Sequence, residues 1–143
     1  MLEIGTHIGA YTVQIARALS LYGDESYKCS VDISDVNSTS AKPWLANNAS
    51  HSPREEVNLA GVGENVEFFY SPSLNFFYKL QTTNRKFGLI FLDVDHSSKA
   101  VYKEIALALN KLNPNGVILV HDYFLEMKIF ETMAILFMVV TWM

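Results

Sequence analysis

Five short apolar runs occur along the chain up to His121, and turn-forming residues separate each run from the next segment. Short apolar runs bounded by such residues predict β-strands. The run that ends at Asp93 is almost continuously apolar, which is typical of a central parallel strand covered on both faces. The five predicted strands are Met1 to Gly5, Tyr27 to Asp32, Asn65 to Tyr70, Lys86 to Asp93 and Val117 to His121.

Segments with helical spacing lie between these strands. In the last of them Val101, Ile105 and Ala108 recur at helical spacing and predict one apolar face of a helix. Strands that alternate with helices predict an α/β fold that is doubly wound, with a mainly parallel sheet, right-handed crossovers and helices on both faces. The predicted helices are Gly9 to Tyr22, Ser52 to Gly61, about Ser73 to Gln81, and Ser97 or Ser98 to Leu112.

The end of the chain has a different character, because Ile129 to Met143 is almost entirely apolar. This segment is shorter than the roughly 18–20 residues needed to cross a bilayer, so we expect no membrane span. A buried helix, a last strand and a damaged end all remain open. We expect the sheet to be truncated after strand five, and the exposed apolar surface favours a homo-oligomer formed through this segment.

Length and composition narrow the class of protein. The 143 residues, half of them hydrophobic, predict a single packed domain over residues 1–143, whose completeness stays open. A net charge of -4 argues against a nucleic-acid partner, which normally requires clustered Lys and Arg. The single Cys29 excludes an internal disulfide, and no basic and apolar leader precedes the first strand, so we expect a cytoplasmic protein.

The loop after the first strand is the first candidate for chemistry. Gly5 permits a tight turn, and Gly9 is expected to let the following helix approach the strand closely. The positive end of that helix favours a negatively charged ligand group, as in nucleotide-type cofactor sites. A dinucleotide fingerprint would need a third glycine, so a nicotinamide-dependent oxidoreductase is disfavoured.

Several motifs occur together in a fixed order. Glu3-x-Gly5-x-x-x-Gly9 is followed by an acid at the end of strand two, by Asp93-Val94-Asp95-His96-Ser97, and by a fifth strand that ends in His121-Asp122. From Glu3 to about Tyr123 the chain resembles the class I, Rossmann-like, S-adenosylmethionine-dependent methyltransferases. The resemblance is closest to the branch that includes small-molecule O-methyltransferases.

The resemblance implies roles for the residues that match the family's motifs. Asp32 would accept hydrogen bonds from the ribose diol, and Ile33 would lie against the adenine. The family commonly has Gly-Asp-Ser where this chain has Ser71-Pro72-Ser73, and Pro72 brings neither a carboxylate nor an N–H. The residues implied to bind the cofactor are Glu3, Gly5, Thr6 and Gly9 for its methionine part, Asp32, Ile33, Ser71 and Ser73 for its adenosine part, and Asp93 near its methyl group.

The same resemblance implies a catalytic group and a metal. His96 or Asp95 would take the proton from the acceptor hydroxyl. Some related O-methyltransferases hold a divalent cation with acids at these strand ends, and Asp93 and Asp122 are the matching positions for Mg²⁺ or Ca²⁺. A third oxygen ligand often follows the second acid, but this chain has Tyr123 there.

Two hypotheses follow from the sequence. The first is a methyltransferase that uses S-adenosylmethionine to methylate a hydroxyl of a small molecule, with catalysis mainly by positioning. The alternative is an inactive or partial cofactor-binding remnant that serves as a binding or interaction module.

Overall fold

The computed structural model describes residues 1–21, 27–93, 98–121 and 138–141. Six strands form one sheet in the order β3-β2-β1-β4-β5-β6. The first five are mutually parallel where they pair, and β6 is antiparallel to β5. The strands are β1 Leu2–Ile4, β2 Lys28–Asp32, β3 Val66–Tyr70, β4 Phe87–Leu92, β5 Leu112–Val120 and β6 Met138–Thr141; the helices are α1 Ala10–Ser20, α2 Pro53–Leu59, α3 Ser73–Gln81 and α4 Ser98–Leu109.

The predicted doubly wound α/β architecture is therefore confirmed, and β1 lies at the centre of the sheet between β2 and β4. The apolar segment at the end of the chain contributes β6, so a last strand is the alternative that the described part of it supports. Within the described residues, no helix is both long and apolar enough to cross a membrane.

The two faces of the sheet differ in chemistry because successive side chains of a strand point to opposite sides. Leu2 and Ile4 join a buried apolar cluster with residues of α3 and α4. Between them, Glu3 points to the other side, where its carboxylate meets Thr12 of α1. A second, smaller cluster that includes Ala16 and Val57 joins α1 to α2.

A buried charge pair holds β1, β2 and α1 together. Glu3 Oε2 lies 3.1 Å from the Lys28 ammonium, and both side chains are almost completely buried. The same oxygen accepts the hydroxyls of Thr12 and Ser30 at 2.7 and 2.6 Å, and Lys28 donates to the Thr12 carbonyl at 3.0 Å. Burial lowers the pKa of Lys28, and the Glu3 charge opposes that shift. Each charge therefore depends on the other for its stability in this position.

The helices α2 and α3 begin in different ways. Ser52 caps α2 with a capping box, because its hydroxyl accepts the Glu55 N–H and the Glu55 carboxylate accepts the Ser52 N–H. Those hydrogen bonds lower the pKa of Glu55. At α3 the N-cap is Pro72, and the Ser71 hydroxyl donates to the Pro72 carbonyl instead of capping the helix.

The segment between α4 and the fifth strand differs from its prediction. The helix ends at Leu109, and Leu112 already pairs with Phe87 of β4. The segment from Asn113 to Gly116, whose residues are typical of a turn, is a bulge within β5, because Leu89 is the next residue of β4 to pair and its partner is Val117. Asn115 has a φ of 62°, a left-handed conformation that asparagine tolerates.

We expect Lys28→Met to lower the free energy of unfolding by about 3–5 kcal/mol, because it leaves the Glu3 carboxylate buried without its cation. Urea denaturation of the purified chain measures the change. Adding Glu3→Gln to Lys28→Met should recover a large part of the loss, since the second change removes the uncompensated charge. Equal stability of the single and double variants would contradict this account of the pair.

Candidate functional site

A cavity of about 550 Å³ opens at the carboxyl ends of β1, β2 and β4. This is the edge at which parallel α/β sheets bind their ligands, and the volume suits a small molecule. Its walls come from strand ends on one side and from the first turns of α3 and from α4 on the other. The lining residues are Ile4, Gly5, Val31, Asp32, Ile33, Ser71, Pro72, Ser73, Leu74, Asn75, Asp93, Ala100 and Glu104.

Gly5 brings three strand ends together beneath the cavity. Its N–H donates to the Val31 carbonyl and the Asp93 N–H donates to the Ile4 carbonyl, both at 2.8 Å. Gly5 has a φ of +100°, and a Cβ at this position would lie 1.8 Å from the Asp93 carbonyl oxygen. Only glycine therefore permits the close approach of the loop to the end of β4.

The Asp32 carboxylate is held rigidly at the end of β2. Oδ2 accepts the His7 N–H at 2.9 Å, and Oδ1 accepts the Ser34 N–H at 2.8 Å. A carboxylate has about four lone-pair sites, so each oxygen retains acceptor capacity towards the cavity. A pair of adjacent hydroxyl groups on a ligand matches two such oxygens.

An apolar surface adjoins Asp32. The Ile33 side chain is 69% exposed although it is large and hydrophobic, and it lines the cavity beside Pro72 and Leu74. An exposed apolar side chain at the mouth of a cavity suits a ligand group with an apolar face.

The Asp93 carboxylate pairs with a histidine from the neighbouring strand end. Asp93 Oδ1 lies 3.1 Å from His121 Nδ1, and both side chains are mostly buried. An ionised carboxylate only accepts hydrogen bonds, so Nδ1 carries the proton of this bond. The imidazole also packs near the rings of Tyr11 and Phe91, at centroid distances of 5.9 and 6.3 Å.

A family model described as a methyltransferase domain matches residues 2–123. The chain belongs to this methyltransferase family. No curated protein sequence matches the chain.

Solved structures similar to this methyltransferase domain include three bacterial proteins. TomG, an O-methyltransferase of tomaymycin synthesis from Streptomyces achromogenes solved with SAM, has a TM-score of 0.62 and 23% identity, and the match covers 84% of this chain and 47% of that one. An O-methyltransferase from Bacillus cereus in complex with SAH has a TM-score of 0.63 and 23% identity, and the match covers 84% of this chain and 47% of that one. Cofactor-bound Rv0187 from MTB has a TM-score of 0.62 and 26% identity, and the match covers 84% of this chain and 46% of that one. The chain thus spans about half the length of these structures, and the likeness supports the fold.

The cavity of the methyltransferase domain brings together many of the residues implied to bind a cofactor. Gly5, Asp32 and Ile33 line it from the strand side. Ser71 and Ser73 line it from the start of α3, and the Asp93 carboxylate lies at the end of β4. Six of the nine residues implied to bind the cofactor therefore line one cavity: Gly5, Asp32, Ile33, Ser71, Ser73 and Asp93.

Three other residues of that implied set lie outside the cavity lining. Glu3 is completely buried and its carboxylate faces Lys28. Thr6 is buried below the loop, where its hydroxyl lies 2.7 Å from the Ser30 hydroxyl. Gly9 permits close packing against Pro53 of α2, since a Cβ would lie 2.8 Å from the Pro53 Cβ, whereas the sequence had predicted a close approach to the strand.

The implied catalytic residues Asp95 and His96 and the implied metal ligand Asp122 lie outside the described residues. Among the residues with a described position, no group of three or more His, Cys, Asp or Glu side chains could hold a metal ion.

Sequence reasoning missed Glu104, which lines the cavity from α4 and is only 3% exposed. A signal was present, because Glu104 follows Val101 by three residues and precedes Ala108 by four. An acid on the buried face of a predicted helix indicates either a polar partner or a ligand.

We expect Gly5→Ala to destabilise the domain by about 1–3 kcal/mol more than Gly61→Ala, because only the Gly5 substitution drives a Cβ into the backbone. Gly61 is the matched control: its φ is +72°, but a Cβ there meets nothing within 4 Å. Its alanine variant should lose only the roughly 1–2 kcal/mol of the left-handed conformation. Urea denaturation of both variants measures the difference, and equal losses would contradict the close approach to Asp93.

Proposed function

We propose that the chain is an S-adenosylmethionine-dependent methyltransferase that transfers a methyl group to a hydroxyl of a small molecule. The observation that carries the proposal is the Asp32 carboxylate, which two backbone N–H groups fix at the mouth of the cavity beside exposed Ile33. TomG and the Bacillus cereus enzyme, which share the fold, were solved with SAM and SAH.

The groups that line the cavity fit this cofactor. A ribose diol needs two acceptor oxygens, and Asp32 presents both oxygens of one carboxylate at a strand end. A purine ring needs flat apolar contacts, and Ile33, Pro72 and Leu74 supply apolar surface beside that carboxylate. The volume of about 550 Å³ lies within the range of small-molecule sites.

When bound, S-adenosylmethionine supplies an electrophilic methyl group on a sulfonium centre. The chain's own contribution is mainly to position the reactants. Asp32 orients the adenosine part through hydrogen bonds, and the Gly5 loop fixes Asp32 relative to Asp93 at the other side of the cavity. His96 or Asp95, which follow Asp93 in the sequence, are the proposed acceptors of the hydroxyl proton.

Three further expectations are part of the proposal. Asp93 and Asp122 would hold Mg²⁺, which lowers the pKa of a bound hydroxyl. Methyl transfer that requires Mg²⁺ and is abolished by EDTA tests this expectation.

A cytoplasmic location agrees with the buried thiol of Cys29, whose pKa burial raises. Homo-oligomerisation through the apolar end of the chain is tested by analytical ultracentrifugation.

We expect S-adenosylhomocysteine to bind the purified chain in isothermal titration calorimetry, and Asp32→Asn to weaken it by about 10-fold or more. The neutral amide replaces a charged acceptor with one carbonyl oxygen, and a hydrogen bond to a charged group contributes about 1.5–3 kcal/mol. Asp35→Asn is the control, because Asp35 is an exposed acid of the same loop that does not line the cavity.

Titration with NAD and an assay of methyl transfer from S-adenosylmethionine complete this experiment, and the outcomes together separate the hypotheses. Absence of binding would contradict the proposed function, and a preference for NAD would favour an oxidoreductase instead. Binding of the cofactor without methyl transfer to any acceptor would favour the alternative, a cofactor-binding module without activity. Equal affinities of Asp32→Asn and Asp35→Asn would remove Asp32 from the site.

A further inference from the structure

A second carboxylate lines the cavity, on the side formed by the helices. Glu104 reaches it from α4, and the Ser73 hydroxyl at the first turn of α3 donates a hydrogen bond to Glu104 Oε1. The Glu104 side chain is only 3% exposed, so it lies in the wall and not at the mouth.

The Glu104 carboxylate and the Ser73 hydroxyl, which meet in this wall, present hydrogen-bond acceptors. An ionised carboxylate can only accept hydrogen bonds, it has about four acceptor sites, and the Ser73 hydroxyl is one of the donors to Glu104. Because Ser73 gives its proton to Glu104, its oxygen also presents lone pairs. Pro72, which precedes Ser73 in the lining, has no backbone N–H. A ligand group that reaches the Glu104 carboxylate is favoured when it is a hydrogen-bond donor.

We propose that Glu104 is a specificity-determining residue that selects an amino-substituted purine by accepting a hydrogen bond from the exocyclic amino group of adenine. This inference rests on the proposed function, since it takes the cavity to hold an adenosyl group. It assigns recognition of the base to α4 and recognition of the ribose to the end of β2. One carboxylate then accepts hydrogen bonds from the ribose hydroxyls, and the other accepts one from the amino group of the base.

Burial makes this contact selective. A hydrogen bond to a charged acceptor is stronger than one between neutral groups, and a purine without the amino group leaves the buried carboxylate without that donor. The loss corresponds to about a 10- to 100-fold weaker affinity.

The test compares two ligands by isothermal titration calorimetry: S-adenosylhomocysteine and its analogue in which a hydrogen replaces the 6-amino group of the purine. For the wild-type chain we expect the analogue to bind about 10- to 100-fold more weakly. In Glu104→Gln, which keeps the size of the side chain and an acceptor for Ser73, this ratio should fall about 10-fold.

Two controls distinguish base recognition from a general loss of the site. Asp32→Asn should weaken both ligands equally and keep the wild-type ratio. Ser73→Ala removes the hydroxyl but leaves the carboxylate, so it should also retain discrimination. Thermal unfolding of each variant is measured in parallel to show that it is folded. The ratio of the two ligand affinities for the wild-type chain tests the proposal without any substitution.

Equal binding of the two ligands to the wild-type chain would overturn the proposal and leave the proposed function intact. An unchanged ratio in folded Glu104→Gln would do the same. Failure of the wild-type chain to bind S-adenosylhomocysteine would overturn both the proposed function and this inference.

Discussion

The close contact between Gly5 and the end of β4 is the constraint on which the site depends. Two backbone hydrogen bonds, from Gly5 to Val31 and from Asp93 to Ile4, fasten β1 to the ends of both neighbouring strands. Since β1 is central in the sheet, this contact fixes the separation between Asp32 and Asp93. A side chain at Gly5 would push the loop away from β4 and disturb both walls of the cavity.

The two faces of β1 are stabilised by different kinds of interaction. Leu2 and Ile4 anchor the strand in an apolar core, which favours burial without specifying fine geometry. Glu3 instead binds Lys28, Thr12 and Ser30 through directional contacts. Burying these charged and polar groups costs desolvation free energy, but their hydrogen bonds permit few relative positions of β1, β2 and α1. This suits the strand that leads into the glycine loop.

The cavity combines parts that are remote in the chain. Asp32 ends β2, Asp93 directly follows β4 and Glu104 lies in α4, and the carboxylates of all three line the same cavity. Under the proposed function, Asp32 accepts hydrogen bonds from the ribose, Glu104 accepts one from the base, and Asp93 lies towards the reacting methyl group. The family match over residues 2–123 covers every one of them.

The sequence by itself determined the elements and the acids at their ends, because hydrophobic periodicity and turn residues act over a few neighbouring positions. It predicted α3 as Ser73 to Gln81, and the structure has the same bounds. Only the tertiary structure decided which side chains meet. Glu104 lies 31 residues from Ser73, and His121 lies 28 residues from Asp93. Glu3 turns to Lys28 because strand register and the pleat set its direction, and no local pattern encodes that register.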